Sequence, residues 1–337
     1  MCWPPIRRKN PWRFQRSALN TGSALLAVLW LSAALAAIAF AVANSVRAET
    51  ERASTYAEGV RTYYLAAGAV DRALLYMSWG GGPRKPDGTP RYYVPGMARM
   101  RFAFPTGEAW VEIVPETAKM NVNDSPPEDL LRLALAAGVP IDRAQVIVQG
   151  IVEWRRAAPS GLATSIDQYY LSLTPSFRAR HASFEEIEEL LLVRGMTPEL
   201  FYGGYHPEPD GRLLPHGGLR DCLSVYGATS QFDVNSAEPV LLAAVGLSPT
   251  QVAAVVEARE RVPFRDARQL AMFGAAAARL RVGGDEVFTV RATARLRMAD
   301  GQFSDTRRSV AALMSFLPAG YPDSYHILRW YDDVWVR

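Results

Sequence analysis

The sequence predicts an α+β protein: one long N-terminal helix, an antiparallel sheet assembled from strands near both ends of the body, and a large all-α insertion between those strands. Three observations carry that prediction. An uncharged run over 17–46 continues into a one-faced helical pattern. Alternating, strand-like segments occur at 98–114 and again beyond 285. The stretch between them holds helix-start signals, glycine breaks and an internal repeat.

The helix comes first. About 20 apolar residues span a bilayer core, and residues 23–43 are rich in Ala, Leu, Val and Ile with no charge. Arg7, Arg8, Lys9, Arg13 and Arg16 precede the run without an acid among them, whereas Arg47, Glu49, Glu51 and Arg52 come after it. That asymmetry places the N-terminus in the cytoplasm. Ala41-Val42-Ala43 has the form of a signal-cleavage site, so release after Ala43 is an alternative. The helical pattern nevertheless continues: Tyr56, Val60, Tyr63, Ala67, Val70, Leu74 and Met77 recur at alternating spacings of three and four, the seam of an amphipathic helix. Glycines at 80–82 and Pro83 stop it. The expectation is one helix of roughly 57 residues, about 85 Å long.

Residues 98–104 alternate, with Met100, Phe102 and Phe104 on one face; 105–107 turn, and 109–114 form a second strand. The closing strands are expected at 287–298, 309–317 and 325–331. The middle, 117–284, reads as two repeats, 119–218 and 232–284. Val122-Asn123 and Val234-Asn235 open them; each is followed by a helix start, a leucine pair and a glycine (Gly138, Gly246). Ser125, Ser183 and Ser248 are expected to cap short helices. Each repeat has the outline of a helix-hairpin-helix or SAM-like unit. In a DNA-binding version, Arg259, Arg261, Arg265 and Arg268 would meet phosphates. Ser248 standing for the second hairpin glycine, and the acids Glu185, Glu186, Glu188 and Glu189, favour plain packing units instead.

Composition narrows the function. The chain has 337 residues, 49% hydrophobic and 21% charged, enough for more than one folded unit. The five cations ahead of the long helix exceed the net charge of +3 and leave the rest close to neutral, so no nucleic-acid partner is expected from a basic body. Cys2 lies in the basic leader, which leaves Cys222 without an internal disulfide partner. His181, His206, His216 and His326 have no metal-ligand spacing, and no phosphate loop, nucleophile elbow or C-x-x-C occurs, so no catalytic set is expected. Asp332-Asp333 reads as a solvated turn.

Several segments together resemble the K-type minor pseudopilins of bacterial type II secretion, the general secretion pathway protein K family. They are the basic leader ending at Gly22, residues 119–123 (Lys-Met-Asn-Val-Asn), 151–154 (Ile-Val-Glu-Trp), Tyr169-Tyr170, 188–190 (Glu-Glu-Leu) with 195–198 (Gly-Met-Thr-Pro), the Val234-Asn235 repeat and the late Trp330 strand. The resemblance implies a pilin-like fold interrupted by the helical insertion, and a leader (1–22) cut by a prepilin peptidase between Gly22 and Ser23. It implies a transmembrane half of the helix (23–43), a periplasmic half with the first strands (44–116), and closing strands at 285–337. It further implies an inner-membrane, largely periplasmic protein that works with other minor pseudopilins and the inner-membrane secretion assembly, with the seam Tyr56 to Met77 as partner surface. Ala27 stands where most pilins carry a Glu, which the K type habitually lacks. The competing reading is a membrane-anchored DNA-binding competence protein.

The resemblance also implies calcium near Glu153 and Asp167. Calcium wants six to eight oxygens. Here Arg155 and Arg156 come directly after Glu153-Trp154, and 165–167 reads Ser-Ile-Asp in place of Gly-Ala-Glu. The expectation is therefore no cofactor, with Glu208, Asp210 and Asp221 as loose further candidates.

Overall fold

The computed structural model describes residues 21–80, 82–158, 164–207, 211–284, 286–317 and 324–334. The chain forms two compact units, one ending at Glu58 and the other beginning at Gly59. Leader residues 1–20, Cys2 among them, lie outside the described residues.

Helix α1 (Thr21–Trp79) supplies everything described of the first unit. Its side chains from 23 to 57 are exposed, including Leu25, Trp30 and Phe40. Among the described residues it is the one helix long and apolar enough to cross a membrane. Two of its hydroxyls are satisfied within the helix: Ser32 donates to the Val28 carbonyl at 2.7 Å and Thr50 to the Val46 carbonyl at 2.8 Å. That bonding matters where no water is at hand. Thr21 already lies in the helix, so Gly22 and Ser23 sit in its first turn rather than ahead of it. Gly80, at φ 66°, ends it in the left-handed conformation that favours glycine.

In the second unit the chain continues through β1 (Arg99–Phe104), β2 (Gly107–Pro115), β3 (Met120–Asn121), α2 (Pro127–Ala136), α3 (Ile141–Arg155), α4 (Ser165–Leu171) and α5 (Pro198–Tyr202). Then come β4 (Gly203–Pro207), β5 (Leu213–Gly217), β6 (Leu223–Ser224), β7 (Phe232–Asp233), α6 (Pro239–Ala244), α7 (Pro249–Arg261) and β8 (Leu280–Arg281). β9 (Val287–Leu296), β10 (Arg308–Phe316) and β11 (Tyr325–Tyr331) close it. One antiparallel sheet runs β1-β2-β9-β10-β11, so strands before and after the insertion pair directly, Val111 opposite Ala292. The insertion leaves the sheet after β2 and returns at β9.

The alternation of these strands decides which face is buried. Val111, Ile113, Val290, Ala292, Val310 and Met314 pack against Ala66, Val70, Ala73, Leu74 and Met77 of α1. Alanines on both sides let the helix lie close to the sheet, and each fully buried Val or Leu contributes about 1.5–3 kcal/mol. Gly107 is required at the β1–β2 turn: a Cβ there would sit 2.3 Å from the Arg295 carbonyl oxygen.

The insertion has its own apolar core, including Leu133, Ile147, Trp154, Tyr170, Phe201, Phe232 and Leu241. It is not all-α, contrary to expectation. β3 pairs with β6 and β7 with β8, both parallel, and β4–β5 is an antiparallel hairpin. The hairpin escapes sequence patterning because glycines and prolines, not alternating apolar residues, build it. Gly203 is forced there, since a Cβ would lie 2.2 Å from the His216 carbonyl oxygen. Two expected caps also differ. Ser125 does not cap α2, whose N-cap is Pro126, and its buried hydroxyl has no hydrogen-bond partner among the described residues. Ser183 gives way to a 3-10 turn at Ile187–Leu192, where the Glu189 carboxylate accepts the Glu186 amide at 3.2 Å. Ser248 does cap α7, accepting from the Gln251 amide at 3.3 Å.

The two halves of the insertion repeat each other bond for bond. The Asn123 amide brackets the backbone of Phe184, donating to its carbonyl at 3.0 Å and accepting its N–H at 2.7 Å. Asn235 does the same to Phe264, at 2.9 and 2.8 Å. Arg155 donates to the carbonyls of Val122 and Ser125, and Arg259 to those of Val234 and Ala237. Glu189 and Gln269 each accept the two amides that come after the bracketed phenylalanine. Gly138 and Gly246 both take positive φ between their helices. Asp129 of the first half binds Arg279 of the second at 2.7 Å.

Candidate partner surface and metal site

The seam expected to bind partners is largely covered by the protein's own sheet. Val70 and Leu74 are 0% exposed and Met77 6%; Tyr63 and Ala67 pack partly against the same core. Of the seven seam residues only Tyr56 and Val60 are exposed. An apolar stripe of period 3.6 says that something covers it; it does not say whether a partner or the chain's own sheet does so. The stripe that α1 leaves uncovered in the second unit shares Val60 with that seam and otherwise runs beside it, through Tyr64 (68% exposed), Gly68, Leu75 (44%) and Trp79. A Cβ at Gly68 would meet nothing within 4 Å. Tyr63 donates its hydroxyl to Asp332 at 2.7 Å, so Asp332 ties the C-terminal segment to the helix instead of lying in a free turn. That bond to a carboxylate pushes the Tyr63 hydroxyl's pKa up.

A cleft of about 420 Å³ lies between the outer face of the sheet and the insertion, lined in part by Glu116, Lys119, Arg220, Glu238, Arg291 and Tyr331. Burial pushes the Glu116 carboxyl up, but Lys119 at 2.8 Å and the Thr289 hydroxyl at 2.6 Å outweigh it and hold it below the usual range. Burial raises Glu238. Cys222 is buried, and its thiol is pushed up to about 12 by desolvation, which makes it inert rather than reactive.

The residues do not fit calcium. Asp167 is 2% exposed and both its oxygens are taken. The Thr164 amide (2.8 Å), the Thr164 hydroxyl (3.2 Å), the Ala179 amide (3.2 Å) and His181 Nε2 (3.0 Å) all donate to it. Burial pushes its carboxyl up, but the Thr164 amide and His181 pull it net below the ordinary range. Glu153 accepts from Gln149 at 3.1 Å, on the surface of α3. Among the described residues no three His, Cys, Asp or Glu side chains gather as a metal site would need. Glu208 and Asp210 lie outside the described residues; Asp221 accepts the Gly218 amide at 3.1 Å.

The DNA reading finds no support either. Arg259, its charged form disfavoured by burial, points inward at two carbonyls, and Arg261 is paired with Glu257. Sequence reasoning missed this because the partners of Arg259 lie more than twenty residues away in the chain.

Comparison with known proteins points one way. Residues 113–202 match the family model of Type II secretion system (T2SS), protein K. A curated relative, Type II secretion system protein K of Pseudomonas aeruginosa, is 27% identical over 173 residues, 50% of this chain and 46% of the relative. The match thus spans less than half the length of that relative. Among solved structures, the chain resembles one in the crystal structure of the GspK-GspI-GspJ complex from the enterotoxigenic Escherichia coli Type 2 Secretion System. The TM-score is 0.54 at 19% identity, covering 83% of this chain and 98% of that one, a likeness of fold. These matches uphold the resemblance to the K-type minor pseudopilins.

Proposed function

We propose that this protein is a minor pseudopilin of type II secretion, the subunit that starts or caps the pseudopilus at its tip. The observation that carries the reading is the architecture of α1: one unbroken helix, apolar and exposed in its first half, clamped to an antiparallel sheet in its second. The insertion between β2 and β9 supports the tip position, because so bulky a body repeated along a thin shaft would clash with itself. Ala27 supports it as well: a carboxylate in the bilayer costs a few kcal/mol unless paired, and a subunit without one avoids that cost while forgoing the contact to a neighbour. The N-terminus is cytoplasmic and the body periplasmic, supported by the cations ahead of the apolar run. The two repeats serve as helix-hairpin-helix-like packing units; the matching asparagine and arginine contacts support that use.

The structural neighbour comes from the GspK-GspI-GspJ complex of a Type 2 Secretion System. This chain binds other minor pseudopilins through the uncovered stripe of α1, Val60, Tyr64 and Leu75, rather than through the covered one. The test is co-purification of the full chain, in detergent, with the other minor pseudopilins. Tyr64→Glu with Leu75→Glu abolishes it while leaving the melting temperature of the chain unchanged; undiminished co-purification overturns this surface. Sequencing the N-terminus of the mature protein separates the processing routes: Ser23 marks cleavage by prepilin peptidase, Asn44 a released secretory protein.

A further inference from the structure

We infer that two consecutive side chains, Arg180 and His181, occupy from within the chain the carboxylates that a bound divalent cation would otherwise hold in the first repeat, so that its long loop closes without metal. Three carboxylates converge on this pair. Arg180 binds Glu189 at 3.0 Å and also Glu185. Glu189 in turn accepts the Trp154 indole N–H at 3.2 Å and the amides of Glu185 and Glu186 at 2.8 and 3.2 Å. The His181 ring lies between the Asp167 carboxylate, 3.0 and 3.1 Å from Nε2, and the Arg156 carbonyl, 3.2 Å from Nδ1.

Both ring nitrogens therefore face acceptors. The ring fills the place between them and donates from Nε2 to the buried carboxylate. The backbone is bent to deliver it: His181 sits at φ 52°, the left-handed region that a non-glycine residue adopts at a cost of about 1 kcal/mol. Burial is steepest at Asp167 and His181, where a carboxylate without donors would be strongly destabilising. The clasp joins the end of α3, at Arg156, to α4, at Asp167, and to the segment leading to the bracketed Phe184. Those are the ends of the excursion that the second repeat lacks.

Limited proteolysis and thermal melting of the full chain in detergent test it. The wild-type chain keeps the same melting temperature and the same cleavage rate between 156 and 180 in excess EDTA and in millimolar calcium chloride. His181→Gln and Arg180→Gln each raise cleavage in that segment by roughly tenfold through local opening, and Arg180→Lys, which keeps the charge, restores protection. Two results overturn the inference: a wild-type chain that calcium stabilises or EDTA loosens, or neutral variants as resistant as the wild type. Should Arg180→Gln or His181→Gln fail to fold, the metal arm on the wild-type chain still decides.

Discussion

The two repeats of the insertion share a skeleton and differ in what hangs from it. In the first, the asparagine and the phenylalanine it brackets are 61 residues apart; in the second, 29. Most of the excess lies beyond the clamping arginine. The second repeat passes from Arg259 to Phe264 in a few residues, whereas the first makes an excursion through α4 and back before reaching Phe184. A long loop is entropically tolerable, because closure cost grows only slowly with length, but its buried polar groups still need partners. The first repeat therefore carries the extra carboxylate contacts of Arg180 and His181 and an aromatic cluster in which Trp154 stacks on Phe184 and meets Tyr170 edge-on. The second needs none of these. Elaboration in this insertion is concentrated in one half, on a scaffold that both halves build alike.

That equivalence can be broken in order of expected effect. Arg155→Met and Arg259→Met each strand buried carbonyls and cost roughly 2–4 kcal/mol; urea unfolding that finds the two losses clearly unequal would end the claim that the clamps do the same work. Asn123→Ala and Asn235→Ala remove a bracket and cost roughly 1–3 kcal/mol each. Hydrogen exchange at the amides of Phe184 and Phe264 reports each loss separately, with protection falling at the matching phenylalanine only.

Next comes the bridge between the repeats. Burial pushes the Asp129 carboxyl up, but Arg279 and Arg132 outweigh it and hold it below the usual range. A depressed folded value means stability that is fully present above about pH 4, the ordinary range for Asp, and lost as pH falls through the folded value. The stability difference between wild type and Asp129→Asn should thus be constant near neutrality and shrink on acidification; a difference that does not move with pH removes the ion pair from the interface. Gly138→Ala and Gly246→Ala, both at positive φ with open space beside them, cost about 1 kcal/mol each. The smallest effect is at Cys222, whose buried thiol should resist maleimide in the folded chain and react only on unfolding.

Much of this was legible from residue order alone. The apolar run and its one-faced continuation gave α1 nearly to its last residue, since glycines at 80–82 admit no further helix. Alternation gave the first strand of the main sheet, because side-chain direction in a strand has period two, and strand-rich composition gave the other four. Asn123 and Asn235 were matched by their local sequence. Their partners were not, nor were the roles of Arg155 and Arg259. One of these looked adverse to calcium and the other looked like a phosphate contact, yet both are internal clamps. The hairpin β4–β5 was invisible because its glycines and prolines carry no periodic signal.

Local period and composition were thus enough for a membrane-length helix, the strands of the main sheet, the cap at Ser248 and the presence of a repeat. They could not say which face of α1 remains for others, because a stripe of Val70, Leu74 and Met77 is equally content against a partner or against its own sheet. The packed fold puts the chain's own sheet on that stripe, and it alone paired Asp167 with His181. An ionisable side chain takes its role from whatever charge and carbonyls the fold brings within about 3 Å of it, and no spacing along the chain encodes that distance.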